Sequence, residues 1–182
     1  MTAPRRVVAL VLAAGRATRF GSDKLRHPLN GRPLGEHIAV TLAELPLAAR
    51  LAVCPAARRG LFAPYGFEVI DNPHPEQGMG VSLALGATRA IALDADALLV
   101  CLADMPFVTV AHLDALLAVR MPVVATTCDG TRSPPAVFAR ELLHELASLA
   151  GDQGARHLLK SAATVAAPAD LVRDFDTPDD LG

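Results

Sequence analysis

The chain has no tryptophan, one tyrosine and six phenylalanines among 182 residues. So few rings cannot build a platform for successive stacked bases. It also lacks an excess of either charge. A net charge of −2 gives no global attraction to nucleic acid or to an anionic membrane, so any positive field must be local. Cysteine is scarce: Cys54, Cys101 and Cys128 are odd in number and widely spaced, with no C-x-x-C pair. That excludes an internal disulfide framework and an obvious zinc site, and it points to a reducing cytoplasm. There is no long apolar run. Met1–Arg6 is polar and basic, and the apolar stretch after it breaks at Gly15, too soon for a signal segment or a membrane span. Three motifs are missing: G-x-x-x-x-G-K-[ST], a clean G-x-G-x-x-G, and G-x-S-x-G. The six histidines are scattered, with no metal-ligand or nucleophile spacing. Covalent catalysis therefore has little support.

What is present is aliphatic. Hydrophobic residues make up 52% of the chain, mostly Ala, Leu and Val. The length fits one domain over residues 1–182 with a substantial core. Apolar runs at Val7–Leu12 and Ala97–Leu102 read as strands buried on both faces. Arg50–Cys54 and Phe67–Ile70 read as shorter strands. Helical spacing is expected from Pro33 to about Leu45, over Gly80–Leu93, and over Thr109–Val119 with Thr109 as N-cap. Val123–Thr127 and Ala136–Ala139 flank Asp129-Gly130 and would pair across that turn. Helices over Arg140–Leu149 and Gly154–Ala162 and a strand near Val172–Phe175 complete the pattern. The expectation is a doubly wound α/β fold with a mostly parallel, mixed sheet. Ligands in such folds sit outside the carboxyl ends of the strands.

Four polar segments follow apolar runs, and each has a bland reading beside a functional one. The Gly15–Lys24 loop carries Arg16, Arg19 and Lys24, which suit phosphate oxygens; it could equally be a plain βα turn with solvated cations. Asn72…Gly78-Met79-Gly80-Val81-Ser82 runs into a helix start, either for a polar ligand or with Ser82 as an ordinary cap. Asp104, in Leu102-Ala103-Asp104-Met105-Pro106, is placed to hold Mg²⁺ against phosphate, or is a turn aspartate before proline. Thr177-Pro178-Asp179-Asp180 reads as a capped helix start, which leaves Asp174 and Asp176 unexplained as possible metal carboxylates.

Taken in order, these segments resemble the nucleotidyltransferases with a glycosyltransferase-A-type, Rossmann-like three-layer αβα fold. L-A-A-G-R-A-T-R-F-G-S-D-K-L is similar to their signature loop. N-P-H-P-E-Q-G-M-G-V-S-L, C-L-A-D-M-P, G-D-Q-G-A-R-H-L-L and D-F-D-T-P-D-D-L resemble the molybdenum cofactor cytidylyltransferase-like (MocA/MobA-like) branch, from about Val7 to Leu181. The resemblance implies an Mg²⁺-dependent enzyme that moves a nucleoside monophosphate from an NTP to an acceptor phosphate and releases pyrophosphate. It implies nucleotide contacts from Leu12, Ala13, Ala14, Gly15, Arg16, Lys24, Asn72, Gly78 and Ser82. It gives catalytic roles to Lys24, Arg19 and Asp104, and metal ligation to Asp104 and Asp176. Ala14 is the residue by which L-A-A-G relatives that transfer cytidine differ from L-A-G-G relatives that transfer guanosine, so CTP and a molybdopterin acceptor are implied. A molybdoenzyme or maturation chaperone is an implied protein partner. The chain departs from the family pattern at Ala17, at Phe20, and at Ser133-Pro134-Pro135, where relatives often carry Gly-His-Pro on the acceptor side. A sugar or polyol phosphate acceptor, and a non-catalytic cofactor carrier, remain as alternatives.

Overall fold

The computed structural model describes residues 5–15, 23–152, 154–173 and 175. Among these the strands are β1 (Val7–Leu12), β2 (Pro28–Leu29), β3 (Arg32–Pro33), β4 (Ala49–Cys54), β5 (Glu68–Asp71), β6 (Ala97–Leu102), β7 (Val123–Cys128), β8 (Thr131–Ala139) and β9 (Ala163–Ala166). The helices are α1 (Leu34–Ala43), α2 (Met79–Ala92), α3 (Val110–Ala118), α4 (Leu143–Ala147) and α5 (Arg156–Leu159). Seven strands form one sheet in the order β5-β4-β1-β6-β8-β7-β9. β8 alone runs against the others: it is antiparallel to both β6 and β7, while the other pairings are parallel.

The double apolarity of β1 follows from cover on both faces. Ala9 and Val11 pack with Ile38 and Leu42 of α1 and Leu113 and Leu116 of α3. Val8, Leu10 and Leu12 pack on the opposite face with Leu83 and Ala87 of α2 and Leu143 and Leu146 of α4. The period-2 alternation of strand side chains thus divides one sequence run between two cores. Helix α2 sits close to the sheet because residue 86 is glycine. A Cβ there would lie 2.3 Å from Leu10 Cδ2, inside any allowed contact. Helix α3 begins as its sequence predicts, with the Thr109 hydroxyl accepting the His112 amide at 3.3 Å.

The Asp129-Gly130 turn joins β7 to β8, with φ of 48° and 78° at its two residues. Both angles are positive, as a two-residue hairpin loop requires. Asn30-Gly31 repeats the device between β2 and β3, with φ of 50° and 78°. This small hairpin was legible in the Asn-Gly pair but is absent from the expected elements. The last third corrects the expectation in two places. The helix expected over Gly154–Ala162 is only α5, and the chain then re-enters the sheet as β9. The strand expected near Val172–Phe175 is absent from its described residues. The edge position is filled by Ala163–Ala166, whose backbone pairs with β7 although its small residues give little periodic signal. The helix expected over Arg140–Leu149 is a 3₁₀ turn at Arg140–Leu142 followed by α4.

Candidate active site

The chain leaves β1 toward β4 on one side and later returns through α2 to β6 on the other. The sheet order therefore reverses between β1 and β6, and that reversal opens a crevice at their carboxyl ends. Leu12 lies in register with both Val53 and Leu102. Each connecting loop is still pinned as it leaves the sheet. Ala13 donates to the Val53 carbonyl at 2.9 Å, Ala103 to that of Leu12 at 3.2 Å, and Asn72 to that of Cys54 at 3.2 Å.

A cavity of about 420 Å³ occupies the crevice. Of the residues singled out by sequence, Leu12, Ala13, Ala14, Gly15, Lys24, Gly78, Ser82 and Asp104 line it. Lys24 and Asp104 are 80 residues apart and meet there: the ammonium donates to Asp104 Oδ2 at 2.8 Å and to the Phe175 carbonyl at 3.0 Å. Side-chain exposures of 13% and 22% place this pair where Coulomb attraction is only partly screened. Asn72 is buried, one shell behind the cavity. Its Nδ2 donates to Ser82 Oγ at 2.9 Å, and its Oδ1 accepts the His74 amide at 3.0 Å. Ser82 is thus fixed inside α2 by Asn72 and does not cap the helix. The N-cap position belongs to Gly78.

Gly78 takes φ of 95°, which favours glycine, and a Cβ on it would lie 2.6 Å from the Gly151 backbone. Gly80 donates its amide to the Gly151 carbonyl at 2.8 Å, and a Cβ there would lie 2.7 Å from the same oxygen. The two glycine-bearing motifs therefore interlock by backbone. The contact brings Asp152 to the cavity wall beside Glu76 and Met79.

Asp152 and Glu76 were not singled out by sequence, nor were Asp23 and Arg58. The buried Arg58 guanidinium donates to the carbonyls of Ala13 and Gly15 and pairs with Asp23. It lies on the 3₁₀ turn Ala56–Leu61, more than 30 residues from each partner, and only its Pro-Ala-Ala-Arg-Arg setting after a strand could have marked it. Arg16, Arg19, Asp174 and Asp176 lie outside the described residues. Burial pushes the Cys54 thiol up to about 11 and that of Cys101 higher still. Neither is a thiolate near neutral pH.

Among the described residues, no three His, Cys, Asp or Glu side chains cluster as a protein-only metal cage. Asp104, the cavity-lining carboxylate that meets the Lys24 cation, with room for phosphate and water beside it, matches the coordination habit of Mg²⁺. No helix among the described residues is long and apolar enough to cross a membrane.

Residues 9–167 match the MobA-like NTP transferase domain. The chain belongs to that family. It is a nucleotidyltransferase family, so the expected fold and chemistry hold at this level. Among curated relatives, the purine catabolism protein PucB of Bacillus subtilis is 32% identical, over 96% of this chain and 93% of its own length. The molybdenum cofactor guanylyltransferase of Rhodobacter capsulatus is 28% identical, over 97% and 93%. Among solved structures, Rv0371c from Mycobacterium tuberculosis H37Rv superposes with a TM-score of 0.84 at 24% identity, covering 97% of this chain and 95% of that one. A second structure of Rv0371c, in complex with manganese, has a TM-score of 0.78 at 23% identity, over 96% and 95%. A divalent metal is thus held by a protein of the same fold.

Proposed function

We propose that this MobA-like chain, acting as one nucleotidyltransferase domain, transfers CMP from CTP to a phosphate of molybdopterin or its molybdenum-bearing form. An oxygen of the acceptor phosphate attacks the α-phosphorus in line. The new P–O bond forms as the α–β phosphoanhydride breaks, and pyrophosphate leaves. No protein nucleophile is required, so the residues contribute positioning and charge neutralisation. Mg²⁺, held by Asp104 and Asp176, would supply positive charge to the phosphate oxygens. Leu12, Ala13, Ala14 and Gly15, with Arg16, hold the nucleotide along their backbone. Arg19 and Lys24 take the phosphates. Asn72 orients Ser82, which with Gly78 faces the ribose and base.

The observation that carries this reading is the Lys24–Asp104 contact at 2.8 Å on the wall of the switch-point cavity. It puts a movable cation and a metal-type carboxylate at one point, beside the L-A-A-G turn. An ammonium is a compact charge with three donors on a flexible stem. Lys24 can therefore swing from the carboxylate to a phosphate oxygen, and Asp104 would then be free of its ammonium to hold the metal. Ala14 supports CTP, because the L-A-A-G form of the loop resembles that of cytidine-transferring relatives. The name of the Rhodobacter capsulatus relative favours GTP as the second reading.

Pyrophosphate release from CTP and from GTP, with Mg²⁺ and molybdopterin, decides between them. Turnover is expected with CTP, and turnover with GTP alone overturns the base assignment. Turnover only when a sugar or polyol phosphate replaces molybdopterin overturns the acceptor. For Asp104→Ala, lost transfer with retained nucleotide binding is expected; unchanged delivery of the cofactor would instead mark a non-catalytic carrier.

A further inference from the structure

We infer that Arg58 is a positioning residue that fixes Ala13, Ala14 and Gly15, directly after β1, as an anion-binding surface; the inference rests on the nucleotidyltransferase reading above. Arg58 is 8% exposed, and a buried cation is stable only when its donors are matched. Here three of the five donors are hydrogen-bonded, and the charge is paired with the Asp23 carboxylate. Nε donates to Asp23 Oδ2 at 3.1 Å, and Nη2 lies 2.9 Å from Asp23 Oδ1 as an ion-pair contact. Nη1 donates to the Gly15 carbonyl at 3.1 Å and also to the Ala13 carbonyl. One planar group therefore ties the outgoing arm of the loop, at Ala13 and Gly15, to the returning arm at Asp23. Asp23 stands directly before the cavity-lining Lys24.

The consequence for an anion follows from peptide planarity. In a trans peptide the C=O and the next N–H point to opposite sides. With the Ala13 carbonyl turned to Arg58, the Ala14 N–H faces away from it. Ala13, Ala14 and Gly15 line the cavity and Arg58 does not, so the side away from Arg58 is the side a phosphate would approach. Arg58 also neutralises the carbonyl oxygens that would otherwise repel that phosphate. Lysine cannot reproduce this geometry, because it has neither the plane nor the fork.

The test titrates CTP and GTP, each with Mg²⁺, calorimetrically into the wild type, Arg58→Lys and Arg58→Gly, with thermal melts alongside. For the nucleotide the wild type prefers, Kd is expected to rise about tenfold or more in Arg58→Lys, by the loss of loop preorganisation. Millimolar guanidinium is expected to restore part of the affinity of Arg58→Gly, a rescue that general destabilisation would not show. If Arg58→Gly fails to fold, Asp23→Asn is titrated in its place. It keeps the guanidinium and its carbonyl bonds but frees the returning arm, and a smaller rise in Kd is expected. A wild-type Kd in Arg58→Lys, an unchanged Kd in Asp23→Asn, or absence of guanidinium rescue in a folded Arg58→Gly overturns the inference alone. A wild type that binds neither nucleotide overturns the underlying functional reading as well.

Discussion

The two edges of the sheet use the same ionic chemistry in different surroundings. At the amino edge, Arg140 holds Asp94 at 2.8 Å and Asp96 at 3.1 Å, with side-chain exposures of 50%, 75% and 40%. The Arg6 amide donates to Asp96 Oδ2 at 2.8 Å. At the carboxyl edge, Lys24–Asp104 and Arg58–Asp23 have exposures of 13% and 22%, and of 10% and 28%. Distances are nearly equal, so separation does not distinguish the sets; water does. Exposed pairs exchange one hydrated state for another and contribute little. Half-dry pairs fix a geometry and hold charge where a ligand can compete for it. The amino edge trims the ends of strands, whereas the carboxyl edge concentrates chemistry.

The contrast is broken most severely at Lys24. Lys24→Ala is expected to lower the rate of pyrophosphate release on the order of 10²–10³-fold, the scale for losing one preorganised charge donor. Its melting temperature should stay close to that of the wild type; a large drop would mean that the carboxyl-edge pair is structural after all. Next in size is Gly78→Ala, which forces a side chain onto φ of 95° and against the Gly151 backbone. Strain of this kind costs roughly 1–3 kcal/mol, readable by urea denaturation, and nucleotide affinity should fall with it.

An intermediate effect lies inside the molecule, away from both edges. The Thr126 hydroxyl donates to the Pro135 carbonyl at 2.8 Å, so it must accept from His112 Nε2, also at 2.8 Å. Burial holds the imidazole below its ordinary value. The folded state thus binds its proton less readily than the unfolded chain. Stability contributed by neutral His112 is complete above about pH 6.5 and declines as pH falls from there toward the depressed folded value. In His112→Gln that slope should flatten in denaturation curves taken across mildly acid pH.

The smallest effect belongs to the amino edge. Arg140→Ala should leave nucleotide kinetics unchanged and lower the melting temperature slightly, by an amount that shrinks in high salt. The Asp96 carboxyl is held below its usual range, first by the Arg6 amide and then by Arg140. Its contribution is present above about pH 4 and is lost as pH falls through the lower folded value, a slope that Arg140→Ala should weaken in acid melts.

Much of this architecture was legible where local chemistry and final environment agree. The apolar runs of β1 and β6, the Thr109 cap and the Asp129-Gly130 turn each follow from a few adjacent residues. So does the gathering of Lys24 and Asp104, once strands carrying polar sequels are placed in a parallel sheet. β9 was not legible, because alanines pair through the backbone and carry almost no pattern of their own. Arg58 was not legible for a different reason: its meaning lies in three partners 35 to 45 residues away. Gly78 and Gly80 stood out as glycines, but only the opposing Gly151 backbone explains why no side chain fits there.

The three pinning bonds from Ala13, Asn72 and Ala103 have a consequence for motion. Loops usually open first, and their amide hydrogens exchange with solvent early. Here each site loop begins with an amide bonded to a carbonyl of β1 or β4, so releasing it requires loosening the middle of the sheet. These three amides are expected to exchange with the slowest cooperative unit, so that the first residues of the site share the lifetime of the core beneath them.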